Sequence, residues 1–111
     1  MYCTDDSTAL AEFGSMVVVI VAFRLNVFGH LGSAAVQARS EDRSAGNFGL
    51  ADQRESLRWV SRNIEAFGGD KSNVVLSGHS SGAASVAYHL VSEKSAPLFH
   101  KAIIQSGSFT A

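Results

Sequence analysis

The chain alternates short apolar runs with longer amphipathic or glycine-punctuated stretches. Met16-Val17-Val18-Val19-Ile20-Val21-Ala22-Phe23 is continuous rather than alternating, and rich in β-branched residues. That pattern predicts a strand covered on both faces, as in a parallel sheet. Leu25 to Gly49 is irregular, and its charged middle, Arg39 to Ser44, reads as a solvated surface loop. From about Leu50 to Phe67, the residues Leu57, Val60, Ile64 and Phe67 recur at three- and four-residue steps. They predict a helix that buries this face, with Arg54, Glu55, Arg58, Arg62 and Glu65 mainly elsewhere on the wheel. Gly68-Gly69 supply positive-φ positions that stop it. Val74-Val75-Leu76 reads as a second strand, Ala83 to about Val91 as a small-residue helix, and Ala102-Ile103-Ile104 as a third strand beyond Pro97. The order strand, helix, strand, helix, strand predicts an α/β protein with mostly parallel strands.

Composition narrows the function classes. The 111 residues are 46% hydrophobic and 17% charged, with a formal net charge of −1, so neither a nucleic-acid partner nor an acidic membrane surface is expected. The longest apolar run is too short to cross a bilayer, so no membrane span is expected. The polar, acidic start is not a signal peptide as written, and the compartment is left open. Cys3, the single cysteine, has no partner for an internal disulfide, and no zinc-ligand spacing occurs, so neither a metal nor a cofactor is expected. A nucleotide-binding α/β unit is a weak reading, because no glycine loop carries the P-loop lysine or the dinucleotide spacing.

The chemistry lies in Gly78-His79-Ser80-Ser81-Gly82, a match to G-x-S-x-G. Chance alone would produce such a match in about one chain in eight of this glycine and serine content. The context is what decides, since an apolar strand precedes it and a helix follows. In that setting Ser80 occupies a sharp, strained turn, with its hydroxyl at the carboxyl end of the strand and the positive end of the helix dipole behind it. The backbone N–H of Ser81 faces a developing oxyanion. Glycine at 78 and 82 avoids collisions with the neighbouring strand or helix. The bland alternative is a tight strand-to-helix turn with no chemistry.

The flanks add a family resemblance. Phe67-Gly68-Gly69, four residues, Val74-Val75-Leu76-Ser77 and the pentapeptide resemble the nucleophile signature of type-B carboxylesterases and cholinesterases. Gly46-Asn47-Phe48-Gly49-Leu50-Ala51-Asp52-Gln53 resembles the family's G-N-x-G-L-x-D-Q segment. Leu57-Arg58-Trp59-Val60, Asn63-Ile64 and Phe67-Gly68-Gly69-Asp70 are similar to its next helix and exit. His89-Leu90, Leu98-Phe99, Ala102-Ile103 and Gln105-Ser106-Gly107-Ser108 are similar to the stretch after the nucleophile helix. The resemblance implies an α/β-hydrolase fold, a small-molecule ester substrate and an acyl-enzyme on Ser80. It also implies an ion pair between Arg24 and Asp52, at least partly buried. Asn26 stands where the family has glycine, a mild change because Asn tolerates positive φ. His30 replaces an aromatic residue, His79 a common glutamate and Ser81 a common alanine.

Parts of the family's Ser-His-acid scheme have no counterpart here. His89 lies about 13 Å along the helix from Ser80 at 1.5 Å per residue, and His100 opens the third strand, at the opposite end of the sheet. Both read as surface or partly buried polar residues, and Glu93 as a solvated charge. His79 diverges from its neighbour on a tight turn, and His30 is upstream of the usual order. Nothing in Met1 to Ser15 resembles the family's oxyanion loop. Residues 1–111 are therefore expected to be a partial α/β-hydrolase domain, without that loop and without the downstream acid and histidine, and inactive alone. The strand that normally separates 17–23 from 74–77 is also missing. A gap of about 10 Å then either closes or leaves unpaired backbone. A non-catalytic, neuroligin-like binding segment on the same scaffold is the alternative. Trp59 is expected to serve core or interface packing rather than substrate contact.

Overall fold

A computed structural model describes residues 7–41 and 44–107. Its organising unit is β1 (Val75–His79), α5 (Ser81–Leu90) and β2 (Lys101–Gln105). The two strands pair in parallel, from Val75 opposite Lys101 to His79 opposite Gln105, and α5 packs on both. Upstream lie α1 (Thr8–Gly14), α2 (Asn26–His30), α3 (Ala34–Arg39) and α4 (Phe48–Asn63). Helix α4 runs on into a 3₁₀ turn at Ile64–Phe67, and a second 3₁₀ turn, Ala96–Leu98, carries Pro97 just before β2. The α/β class stands, and both downstream strands and both longer helices lie within a few residues of their predicted bounds. Helices α1, α2 and α3 are too short for an apolar period to announce them. No described helix is long and apolar enough to cross a membrane.

The first predicted strand does not form. Residues 16–23 enter no ladder, and the sheet among the described residues holds β1 and β2 alone. β-branched side chains favour a pleated surface, but a strand exists only where a neighbour takes its N–H and C=O groups. Val17, Val19 and Ile20 are left substantially exposed. The gap anticipated between this segment and β1 has not closed by direct pairing.

Leu57, Val60 and Ile64 are buried as predicted, together with Ala83, Val86 and Phe99. Phe67 is not: it is 61% exposed and lies tilted at 46° against half-exposed Trp59, with ring centroids 5.7 Å apart. The 3₁₀ turn, at three residues per turn, sets Phe67 in line with Ile64 but one turn further on, past the end of the buried stripe. Trp59 thus packs at the surface, not in the core. Gly68 ends the helix at φ 81°, and its N–H donates to the Glu65 carbonyl. Gly69 needs no positive φ. A β-carbon there would stand 2.7 Å from Ile64 Cγ1, so close packing is what requires glycine. The total accessible surface is 8269 Å², against about 5,900 Å² for a compact monomer of this mass. Among the exposed apolar side chains are Val75, Ile103 and Ile104 of the sheet.

Candidate active site

Ser80 is the single residue between β1 and α5. Its N–H donates to the Gln105 carbonyl at 2.9 Å, carrying the ladder one step past the strand, and its carbonyl accepts the Ala84 N–H at 3.2 Å to start the helix. Satisfying both bonds forces a hairpin change of direction, met by φ 55° and ψ −120°. Side-chain-bearing residues avoid that region at a cost of about 1–3 kcal/mol. Gly78 makes room for the turn: a β-carbon there would lie 2.3 Å from the Gly82 carbonyl oxygen. Gly82 departs from expectation, since nothing lies within 4 Å of its would-be β-carbon. Among the described residues only two strands form, and no further element covers that side of the first turn.

The Ser80 side chain is exposed, and its hydroxyl has no hydrogen-bond partner among the described residues. Behind it, the first N–H groups of α5 have no acceptor within the helix and sum with the helix dipole into a locally positive field. An open hollow of about 430 Å³ lies beside this end of α5, lined by Ser81, Ser85, Tyr88, Leu50 and His30 among others.

Among the described residues, no histidine or carboxylate is hydrogen-bonded to Ser80. His100 is at the far end of the sheet, where Nδ1 accepts the Val74 N–H at 3.1 Å, as expected from its position. Glu93 is exposed. His79 is exposed at the end of β1. His30 lines the hollow with its ring against the backbone of Gly49, where a β-carbon would meet Cε1 at 2.9 Å. Asn26 takes φ 51°, the conformation for which asparagine is a tolerable stand-in for glycine. Cys3 lies outside the described residues.

Arg24 and Asp52 do meet. Nε to Oδ2 is 2.8 Å, Nη2 to Oδ1 is 2.7 Å, and the Arg24 N–H also donates to Oδ2 at 3.1 Å. Half of the Arg24 side chain remains in solvent, so the pair is only partly buried. Its hydrogen bonds hold the Asp52 carboxyl below the usual carboxylate range. The guanidinium also lies 5.3 Å from the centre of the Phe48 ring. The pair thereby fastens the segment after residue 23 onto the first turns of α4.

Sequence reasoning missed a buried polar cluster between α4 and α5. His89 is 3% exposed, so it is core rather than surface; Nε2 lies 2.9 Å from Gln53 Oε1 and Nδ1 lies 2.9 Å from Ser95 Oγ. Burial, and secondarily the charge of Arg54, lower its pKa from the ordinary histidine value. Gln53 occupies the same helical stripe as Leu57, Val60 and Ile64. A polar residue on an apolar stripe was the available signal, because a buried amide must find partners.

This arrangement, a strained serine alone between a parallel strand and a helix, is the geometry that the nucleophile signature requires. The sequence model of the Carboxylesterase family matches residues 3–111. The chain belongs to the carboxylesterase family. It is 45% identical over 106 residues to acetylcholinesterase 1 of Caenorhabditis briggsae, covering 96% of this chain and 16% of that protein. It is 50% identical over 91 residues to esterase B1 of Culex pipiens, covering 82% and 16%. Among solved structures, a Geobacillus stearothermophilus carboxylesterase superposes with a TM-score of 0.85 at 46% identity, over 93% of this chain and 21% of that one. A thermophilic pNB esterase gives 0.83 at 39% identity, over 93% and 20%. This carboxylesterase-family chain thus spans about one-sixth of the length of the curated relatives it matches. Both solved relatives are esterases by name, and their superposition on this chain is in line with the α/β class read from the sequence.

Proposed function

We propose that this segment supplies the nucleophile of a serine carboxylic-ester hydrolase, with Ser80 attacking and the Ser81 N–H as one oxyanion donor. The carrying observation is the backbone of Ser80, φ 55° and ψ −120° at the head of α5. It leaves the hydroxyl exposed while aiming the helix N-terminus at the same point. Ser80 Oγ adds to the ester carbonyl carbon as its proton passes to a general base. The carbonyl oxygen gains the negative charge and accepts from Ser81 N–H. Collapse expels the alcohol, which takes the proton back, and water then releases the acid by the reverse sequence. The base, the acid and a second oxyanion donor belong, on this reading, to sequence outside residues 1–111. The 111-residue chain alone therefore has no ester turnover. The open apolar faces of the sheet support the same reading, as surfaces on which a larger domain would close.

The test is fluorophosphonate labelling of a native extract, followed by mapping of the Ser80 peptide. A labelled Ser80 in a band several times larger than 11.7 kDa supports the reading. The peptide found unlabelled in such a band would overturn it and point to a non-catalytic binding relative. Saturable hydrolysis by the purified 111-residue chain, lost in Ser80→Ala, would overturn the claim that the segment is inactive alone.

A further inference from the structure

We propose that Gln53 and His89 are positioning residues for the oxyanion donor, acting through Ser85 on the first turn of α5. The proposal rests on the reading of Ser80 as nucleophile and Ser81 N–H as donor. Its basis is an unbroken file of hydrogen bonds. Ser95 Oγ lies 2.9 Å from His89 Nδ1, and His89 Nε2 lies 2.9 Å from Gln53 Oε1. Gln53 Nε2 donates to Ser85 Oγ at 3.3 Å, and the Ser85 hydroxyl donates to the Ser81 carbonyl at 3.2 Å.

The donor roles follow from the amide. Gln53 Oε1 has only lone pairs to offer, so the His89 proton sits on Nε2 and Nδ1 accepts the Ser95 hydroxyl at 2.9 Å, for which Ser92 Oγ at 3.3 Å is the longer, competing acceptor. Every donor in the file then points the same way, toward Ser81, and each bond polarises the next. Gln53 and His89 are 9% and 3% exposed, so water competes little with the two bonds of His89, while the step to Ser85 is part-buried and the last one, to Ser81, is exposed. The depressed pKa of His89 agrees with a neutral ring.

The file fixes something that helix geometry does not. An α5 carbonyl ordinarily accepts only the N–H four residues on, a bond within the helix that ties it to no other element. The Ser81 carbonyl accepts in addition a hydroxyl whose orientation is set from α4, through Gln53. Rotating α5 breaks that file, so the direction of the Ser81 N–H is referred to an element outside the elbow. Loosening the file misaligns this donor without removing it.

The experiment measures kcat and KM for 4-nitrophenyl acetate on the native protein carrying this segment, with urea midpoints alongside. Ser85→Ala, Gln53→Met and the double variant are compared, with Ser85→Thr as rescue and Ser80→Ala as control. Misalignment of one donor is expected to lower kcat about five- to tenfold in each single variant, with KM unchanged. The double variant falls no further than either single one, because the two act in series. Ser85→Thr keeps the hydroxyl and restores kcat, and the Ser85→Ala midpoint stays at the wild-type value. Wild-type kcat in Ser85→Ala, or multiplicative losses in the double variant, would overturn the proposal while leaving Ser80 as nucleophile. Undiminished hydrolysis by Ser80→Ala would instead overturn the underlying reading.

Discussion

Arg24 and Asp52, 28 positions apart, meet through two parallel bonds of 2.8 and 2.7 Å that hold the segment after residue 23 against α4. A forked guanidinium matches a carboxylate in a way that lysine does not. Arg24→Lys is therefore expected to lower the urea midpoint nearly as far as Arg24→Ala. The hydrogen bonds from Arg24 depress the Asp52 pKa below its ordinary 3.8. The pair's contribution is thus complete above that value and fades as pH falls through the lower folded pKa. The midpoint difference between wild type and Asp52→Asn should be constant from pH 5 to 8 and shrink only at strongly acidic pH. A difference that closes already by pH 5 would contradict this.

Ser80 is strained, and relieving the strain should show. Ser80→Gly suits the observed φ of 55° and is expected to raise stability by about 1 kcal/mol, net of the greater freedom of glycine in the unfolded chain. Urea unfolding followed by the fluorescence of Trp59, the single tryptophan, measures it. The same variant should lose all fluorophosphonate labelling. A midpoint at or below wild type would mean that the turn is not strained.

The two elbow glycines should respond differently to alanine. Gly78→Ala places a methyl group against the Gly82 carbonyl and is expected to cost about 2–3 kcal/mol, the usual penalty for forcing a shift in close packing. Gly82→Ala meets open space. In the first turn of a helix it is expected to be neutral, or to stabilise by up to about 1 kcal/mol. Equal losses at both positions, read from unfolding midpoints, would refute the asymmetry.

His89 should make stability depend on pH near neutrality. Its folded pKa lies below the ordinary 6.5 because burial disfavours the imidazolium. Above about pH 7 both folded and unfolded forms are neutral, and the contribution is whole. As pH falls below about 6.5 the unfolded chain takes up a proton that the folded chain resists, so stability declines until the folded pKa is passed. His89→Gln removes the titration. The midpoint change between pH 7.5 and 5.5 should therefore be smaller in that variant. An equal change in both proteins would exclude His89 as its source.

Local patterns were enough to place β1, α5 and β2, because apolar runs bounded by glycine and proline carry their own length and period. They were enough for the elbow as well, since its strain is a property of five consecutive residues between a strand and a helix. The Leu57, Val60 and Ile64 face was legible for the same reason, but its period did not show that burial stops short of Phe67. What could not be read locally depended on partners far away in the chain. Residues 16–23 have every propensity for a strand, but a ladder needs a neighbour at hydrogen-bonding distance, and propensity does not supply one. His89 looked like a surface residue until Gln53, 36 positions earlier, and Ser95 closed over both ring nitrogens. The sequence by itself therefore determined the local backbone around Ser80. Only the tertiary structure decided which strands pair, and which buried polar groups join α4 to α5, because those outcomes are set by contacts between segments rather than within them.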